Sequence, residues 1–359
     1  MRPGRGGIDC DVHVRVPGME ALLPHLAPHW AEYCRQSAFH GPVDTAYPPN
    51  APTTVAPLWQ HAEPAAATSV EALHAQLLDP LGTDVAILTC AYAVESIHNP
   101  DTAAAIAAAV NDWLRTSWLD RDPRLRASIV VPSQVPEMAA AEIDRVCGDR
   151  RFVQVLLPVR SRMPYGNRLY RPIWEAAARH QLAVGLHFGG APGNPPTGSG
   201  WPSYHLEEYA GMAQIFQTQL LSLVAEGVFD RWSETRVACV ESGFTWLPAF
   251  FWRLDKEWKG LRRDVPWVRR PPSEYLREHV RFTTQPLDAP PEADGLRRLI
   301  EDSDLGPLLL FATDYPHWHF DDLAEAVPAA FSDGLRERVL SRNPKNFYRL
   351  TPGGKGGSR

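Results

Sequence analysis

The chain has 359 residues with a formal net charge of −6, 44% hydrophobic and 22% charged residues. That composition is of an ordinary globular protein, and the acidic balance leaves no basic footprint for nucleic acid. No apolar run approaches the ~18 residues needed to span a membrane, and MRPGRGG at the N-terminus lacks a hydrophobic signal segment, so a cytoplasmic protein is expected.

The five cysteines are odd in number and form no C-x-x-C. They are expected to be reduced, with Cys10, Cys90 and Cys239 small core residues. Ile8–Val14 predicts a short strand, whose period of two puts Asp11 and His13 on one face. Met19–Cys34 predicts a helix from the spacing of Leu22, Leu23, Leu26 and Trp30. Ser37–Ala67 has little periodicity and is expected to lie as a long loop over the body. Ser69 is placed to cap a helix running through Leu78.

From there strands and helices alternate. Strands are predicted at Asp84–Tyr92, Leu125–Pro132, Phe152–Pro158, Ala183–Phe188, Arg236–Val240, Val280–Thr284 and Leu308–Thr313. The helices are Asp101–Leu119, Glu137–Val146, Leu169–His180, Leu206–Ala225, Trp246–Trp258 and Asp294–Glu301, with closing helices at Asp321–Ala330 and Asp333–Leu340. The tail 351–359 is expected to be disordered.

Eight short apolar strands, each followed by at least one helix, predict a parallel sheet covered on both sides. The expected fold class is α/β, a distorted (β/α)8 TIM barrel forming one domain over residues 1–350, with long loops after strands 1, 5 and 6. An open doubly wound sheet is disfavoured, because no G-x-G-x-x-G follows the first strand and no phosphate-loop motif occurs.

In such a barrel the chemistry sits at the carboxyl ends of the strands. Strand one ends in Asp11-x-His13, strand five in His187, strand six in Glu241 and strand eight in Asp314. Each has a structural reading: Asp11 and Asp314 as turn caps, His13 and His187 as core histidines. Together Asp11, His13, His187 and Asp314 offer nitrogen and oxygen donors to one divalent metal ion, zinc first and manganese second.

IDCDVH (Ile8–His13), VGLHFGG (Val184–Gly190), ATDYPHW (Ala312–Trp318) and NPKNFYRL (Asn343–Leu350) carry a family resemblance. The chain resembles the amidohydrolase-related branch of the amidohydrolase superfamily, which includes aminocarboxymuconate semialdehyde decarboxylase and γ-resorcylate decarboxylase. The resemblance spans Ile8–Leu350. It implies a metal-bearing distorted barrel, with the first-strand ligand pair at Asp11 and His13, the fifth-strand ligand at His187 and the eighth-strand Asp at Asp314. The sequence departs from the family pattern twice. Asp11 stands where His or Glu is usual, which shifts the site towards oxygen-preferring metals. Glu241-Ser242-Gly243 stands where the sixth strand usually ends in His. Glu241 then serves as base or ligand, or as a structural carboxylate paired with an arginine.

The expected activity is metal-dependent hydrolysis of a small carboxylated or aromatic molecule by a metal-activated water, with Asp314 as proton acceptor and Glu241, His317 or His319 assisting. The spacing of His317 and His319 implies that at most one faces the pocket. Non-oxidative decarboxylation is the alternative, with Asp314 protonating a ring carbon. A barrel that has lost catalysis and acts as a binding scaffold is the third reading. Arg160 and Arg162 are candidates to hold a substrate carboxylate, against surface arginines on a loop; Trp201 and His205, with Tyr209, are candidates to wall the pocket, against simple packing. The partner is a small molecule, with a homodimer the base-rate expectation.

Overall fold

Eight parallel strands run in the order β1 to β8, each paired with its sequence neighbour, in a nearly closed (β/α)8 barrel. They are β1 (Gly7–His13), β2 (Thr83–Thr89), β3 (Leu125–Val130), β4 (Phe152–Arg160), β5 (Ala183–Gly190), β6 (Val237–Val240), β7 (Val280–Thr283) and β8 (Leu309–Leu310). The computed structural model describes residues 7–42, 51–190, 195 and 197–350. Parts of the two predicted loops Ser37–Ala67 and Ala191–Ser203, and the predicted tail 351–359, lie outside the described residues. Among those described, no helix is long and apolar enough to cross a membrane.

Closure between the first and last strands is narrow. It consists of the bridge between Val12 and Tyr315 and backbone bonds from Cys10 N to Phe311 O (2.9 Å) and from His13 N to Tyr315 O (2.8 Å). Side chains reinforce it. Asp9 accepts from the Thr313 amide at 3.0 Å and the Thr313 hydroxyl at 2.6 Å.

The principal helices follow the strands: α1 (Pro28–Gln36), α2 (Pro100–Leu114), α3 (Pro136–Val146), α4 (Arg171–Arg179), α5 (His205–Ala225), α6 (Leu247–Leu261), α7 (Pro272–His279), α8 (Ala293–Asp302) and α9 (Asn343–Phe347). Several begin as their sequences dictate. Pro100 sits in the first turn of α2, where its missing N–H costs nothing, and Asn99 accepts from the Thr102 amide at 2.9 Å. Ser69 likewise caps the helical segment that starts at Val70, by accepting from the Ala72 amide.

Two predicted helices are corrected. Met19–Cys34 is not one helix but two short 3₁₀ turns followed by α1. Pro24 and Pro28 cannot donate the backbone bonds a continuous helix needs, and each instead opens a new turn. Asp321–Ala330 reduces to the 3₁₀ turn Leu323–Ala326. Pro328 pushes Val327 into extended backbone (φ −104°, ψ 111°), which stops the helix.

Two apolar regions form. The larger lies between the barrel and its helices. The smaller fills the barrel lumen with Ile8, Cys10, Ile87, Val153, Ala183, Ala238, Val240 and Leu310, closed off by Phe347 and Tyr348 from α9 and the residue after it. The lumen is therefore a packed core, and only its opposite, carboxyl-terminal mouth is left for chemistry.

Candidate metal centre and active site

The side chains that line the mouth are brought there by departures from simple strand alternation. On β5, Ala183 faces the lumen, and a period of two carries His187 to the same side. On β1, Ile8 and Cys10 face the lumen, so strict alternation turns Asp11 away. A register irregularity between Asp9 and Val12 re-aims it, so that Asp11 and His13 reach the mouth. On β6, Ala238 and Val240 face the lumen, and Glu241 follows out of phase. Its backbone adopts left-handed φ of 60°, held by its amide bonding Thr283 Oγ1 at 3.0 Å. Asp314 also sits at left-handed φ, 55°. Two non-glycine residues in this costly region, both carboxylates at strand ends, mark a site whose surroundings over-determine its geometry.

The donors converge. His13 Nε2 lies 2.9 Å from Glu241 Oε1, 3.1 Å from Asp314 Oδ1 and 3.7 Å from Asp11 Oδ1. His187 Nε2 lies 3.0 Å from Glu241 Oε1 and 3.9 Å from Asp11 Oδ2. One ligand atom from each of Asp11, His13, His187 and Glu241 falls within 4.8 Å of the others, as does a second set of His13, Glu241, Asp314 and His317. Sequence reasoning named Asp11, His13, His187 and Asp314 as ligands and Glu241 as base, ligand or structural partner of an arginine. The structure brings all five together, and Glu241 pairs with two histidines.

Whether this donor set suits a cation is tested by three features. Asp11 and Asp314 are fully buried, and Glu241 is 9% exposed, so three carboxylates share a largely buried space. The Asp11 Oδ2 atom is buried with no hydrogen-bond partner, whereas Oδ1 accepts from the Thr89 hydroxyl at 2.6 Å. The Nε2 atoms of His13 and His187 lie 3.3 Å apart, where protons on both repel one another. The Nδ1 of His187 is 2.7 Å from the Phe188 carbonyl, which fixes that nitrogen as the N–H and leaves Nε2 as a lone pair aimed at the cluster. An orphaned carboxylate oxygen and opposed imidazole lone pairs fit one divalent ion.

Without a metal, protons supply the missing positive charge. Burial alone pushes His13 and His187 down, but the surrounding carboxylates overcome it. His13 is held well above its ordinary value by Asp11, Asp314 and Glu241, and His187 rises to about 9 through Glu241 and Asp11. Burial and the Asp314 charge push Glu241 up, and the two histidines outweigh them, holding it down at about 2. Asp314 is likewise held well below the carboxylate range, against burial, by His317, His13 and His319.

Asp314 has an environment of its own. His317 Nδ1 is 2.7 Å from its Oδ1 and His319 Nε2 is 2.6 Å from its Oδ2. Both histidines therefore reach it, although of the two only His317 lines the cavity above. That cavity has a volume of about 850 Å³, with His13, His187, Glu241 and His317 in its lining and Phe188, His205 and Tyr209 beside them.

The remaining candidates separate. His205 lines the cavity, with Nδ1 3.5 Å from Glu208 Oε2. Trp201 is 52% exposed and is not among the cavity-lining residues. Arg160 is buried and paired with Glu208 at 3.2 Å, because α5 folds over the end of β4. Arg162 is exposed. Among the described residues, the arginine that does line the cavity is Arg15, which sequence reasoning passed over. The signal was present: Asp11, His13 and Arg15 follow one another at a period of two.

The comparisons with known proteins agree with this architecture. A family model described as amidohydrolase matches residues 8–350. The γ-resorcylate decarboxylase of Polaromonas sp. strain JS666 is 26% identical over 296 residues, covering 77% of this chain and 86% of that protein. The γ-resorcylate decarboxylase of Rhodococcus jostii strain RHA1 is 27% identical over 306 residues, covering 78% and 88%. Among solved structures, 5-carboxyvanillate decarboxylase from Sphingomonas paucimobilis superposes with a TM-score of 0.70 at 19% identity, covering 97% of this chain and all of that one. A dihydroxybenzoic acid decarboxylase from Polaromonas sp. JS666, with bound manganese and the inhibitor 2-nitroresorcinol, gives 0.67 at 20% identity, covering 98% of each chain. With a family model matched along nearly its whole length, the chain belongs to the amidohydrolase family, as an enzyme of that superfamily.

Proposed function

We propose that the protein is a metal-dependent, non-oxidative decarboxylase of small aromatic carboxylates bearing a hydroxyl beside the carboxylate, with manganese as its metal. The observation that carries this reading is that relatives aligned over 86% to 88% of their own length are named decarboxylases. This moves weight from hydrolysis, the first expectation from sequence, to its alternative. Manganese replaces zinc as the first choice because a structural neighbour holds it and because three of the five converging donors here are carboxylates.

Asp11, His13, His187 and Glu241 would hold the ion, with Asp314 at its edge. Such an ion supplies a Lewis-acid anchor for the substrate's carboxylate and neighbouring hydroxyl oxygens. Arg15 draws the anionic substrate towards the cavity floor. Asp314 gives a proton to the ring carbon that bears the carboxylate. The carbon–carbon bond to the carboxyl group then breaks, carbon dioxide leaves, and its bonding electron pair restores the ring. Because Asp314 rests as a carboxylate, His317, 2.7 Å away and exposed to the cavity, takes a proton from solvent and passes it to Asp314 for each turnover.

The test is a panel of hydroxybenzoates, including 2,6-dihydroxybenzoate, incubated with the manganese-loaded protein beside a panel of esters and lactones. Release of carbon dioxide from a hydroxybenzoate is the expected result. Acid release from the esters or lactones without carbon dioxide overturns the reading in favour of hydrolysis, and turnover of neither panel favours a scaffold.

A further inference from the structure

Beside the main cavity lies a recess of about 40 Å³. The two share Cys90, Ala91, Tyr92, His187 and Phe188, so a candidate metal ligand stands at their junction. Glu95 lines the recess and not the main cavity. It sits in the turn Val94–Ser96 after β2, just past Ala93 at left-handed φ of 55°. The opposite wall is apolar, with Val130, Val131 and Leu156.

Among the described residues Glu95 is the one carboxylate lining this recess, and its carboxylate accepts from its own backbone amide. The charges that reach it belong to Arg160 and His187. Arg160 is already paired with Glu208, and His187 directs its Nε2 towards the metal donors. Burial pushes the Glu95 carboxyl up to about 7. A partly buried carboxylate held by its own backbone amide has accepting capacity left over, and a ligand that brings a further donor recovers part of its desolvation cost. The recess has room for a small polar group, since roughly 10–15 Å³ of such space holds one water molecule.

We propose that Glu95 determines specificity by accepting a hydrogen bond from a hydroxyl or amino substituent on the ring held at the main site, and by excluding rings with a second carboxylate there. The identity of that ring rests on the decarboxylase reading; the recess and its preference for a donor do not.

Calorimetric binding to the manganese-loaded protein tests this without turnover. The probes are 2-hydroxybenzoate and its derivatives carrying hydroxyl, methoxy or carboxyl at each remaining ring position. In the wild type, at least one hydroxy derivative binds about tenfold or more tighter than its methyl ether, as expected of a hydrogen bond to a carboxyl acceptor shielded from water. Glu95→Ala brings that ratio to within about twofold. Glu95→Gln keeps an accepting oxygen, preserves much of the ratio and improves binding of the corresponding dicarboxylate. Circular dichroism and metal content establish that each variant is folded and loaded. An equal preference in wild type and Glu95→Ala, or none in the wild type, overturns the proposal. If the preference follows Glu95 while no probe releases carbon dioxide, the decarboxylase reading fails and the recess assignment stands.

Discussion

Removing metal from this protein should make its stability fall as pH rises above neutrality. His187 has an ordinary value near 6.5, raised to about 9 in the metal-free fold by Glu241 and Asp11 against its burial. A histidine raised on folding contributes stability that is fully present below the unfolded value and is lost as pH climbs through the folded one. The loss therefore runs from about pH 6.5 to pH 9. At 1.36 kcal/mol per pH unit the gap corresponds to roughly 3 kcal/mol from His187 alone. His13, raised by the same carboxylates, adds in the same direction. Glu241, held down at about 2, contributes stability that is lost only in acid, so it does not enter this window. A bound divalent ion replaces those protons and should flatten the curve. The assay is urea unfolding of chelator-treated and manganese-loaded protein at half-unit steps from pH 6 to 9.5. Calorimetric titration with manganese at pH 7.5, in buffers of different ionisation enthalpy, gives an independent check, since binding should release protons. A flat metal-free curve, or two curves falling in parallel, would refute the reasoning.

Thr89→Val removes the hydroxyl that bonds Asp11 Oδ1 and should weaken manganese binding about 10- to 100-fold with the fold intact, read by competition with a metal-sensitive dye. Asp314→Asn should lower kcat for carbon dioxide release by about 100-fold or more while elemental analysis still finds bound metal; unchanged turnover removes Asp314 from the chemistry. Gly190→Ala places a Cβ 2.0 Å from the Arg160 Cβ across the β4–β5 pair, a contact that forces the strands apart. It should cost about 1–3 kcal/mol in chemical denaturation.

The strand framework was readable because each strand is a short apolar run bounded by turn residues, and six helices follow strands two to seven at the places the sequence predicts. The polar residues at the strand ends were readable for the same reason, since a barrel has no packing use for Asp11, His187 or Asp314 there. What the sequence concealed depends on local bends and distant partners. The irregularity in β1 and the left-handed turn at Glu241 decide which way side chains point, and neither leaves a glycine signature. Arg160 follows β4 as a substrate-binding arginine would, yet it is claimed by Glu208 from α5, 48 positions later. Pro24, Pro28 and Pro328 were visible as letters, but a hydrophobic spacing outweighed them until the backbone was seen.

The seam that closes the barrel has a consequence for how the enzyme matures. Asp9 and Thr313, which clasp it, are 304 residues apart, and the donors divide in the same manner, Asp11 and His13 on one side and Asp314 on the other. A nascent chain emerging from the ribosome holds the first two donors from the outset and cannot assemble the full cluster until its last strand is made. Loading of an ion there would thereby be tied to completion of synthesis. A polypeptide that lacks the last strand lacks part of the cradle, so a bound ion would distinguish finished molecules from fragments.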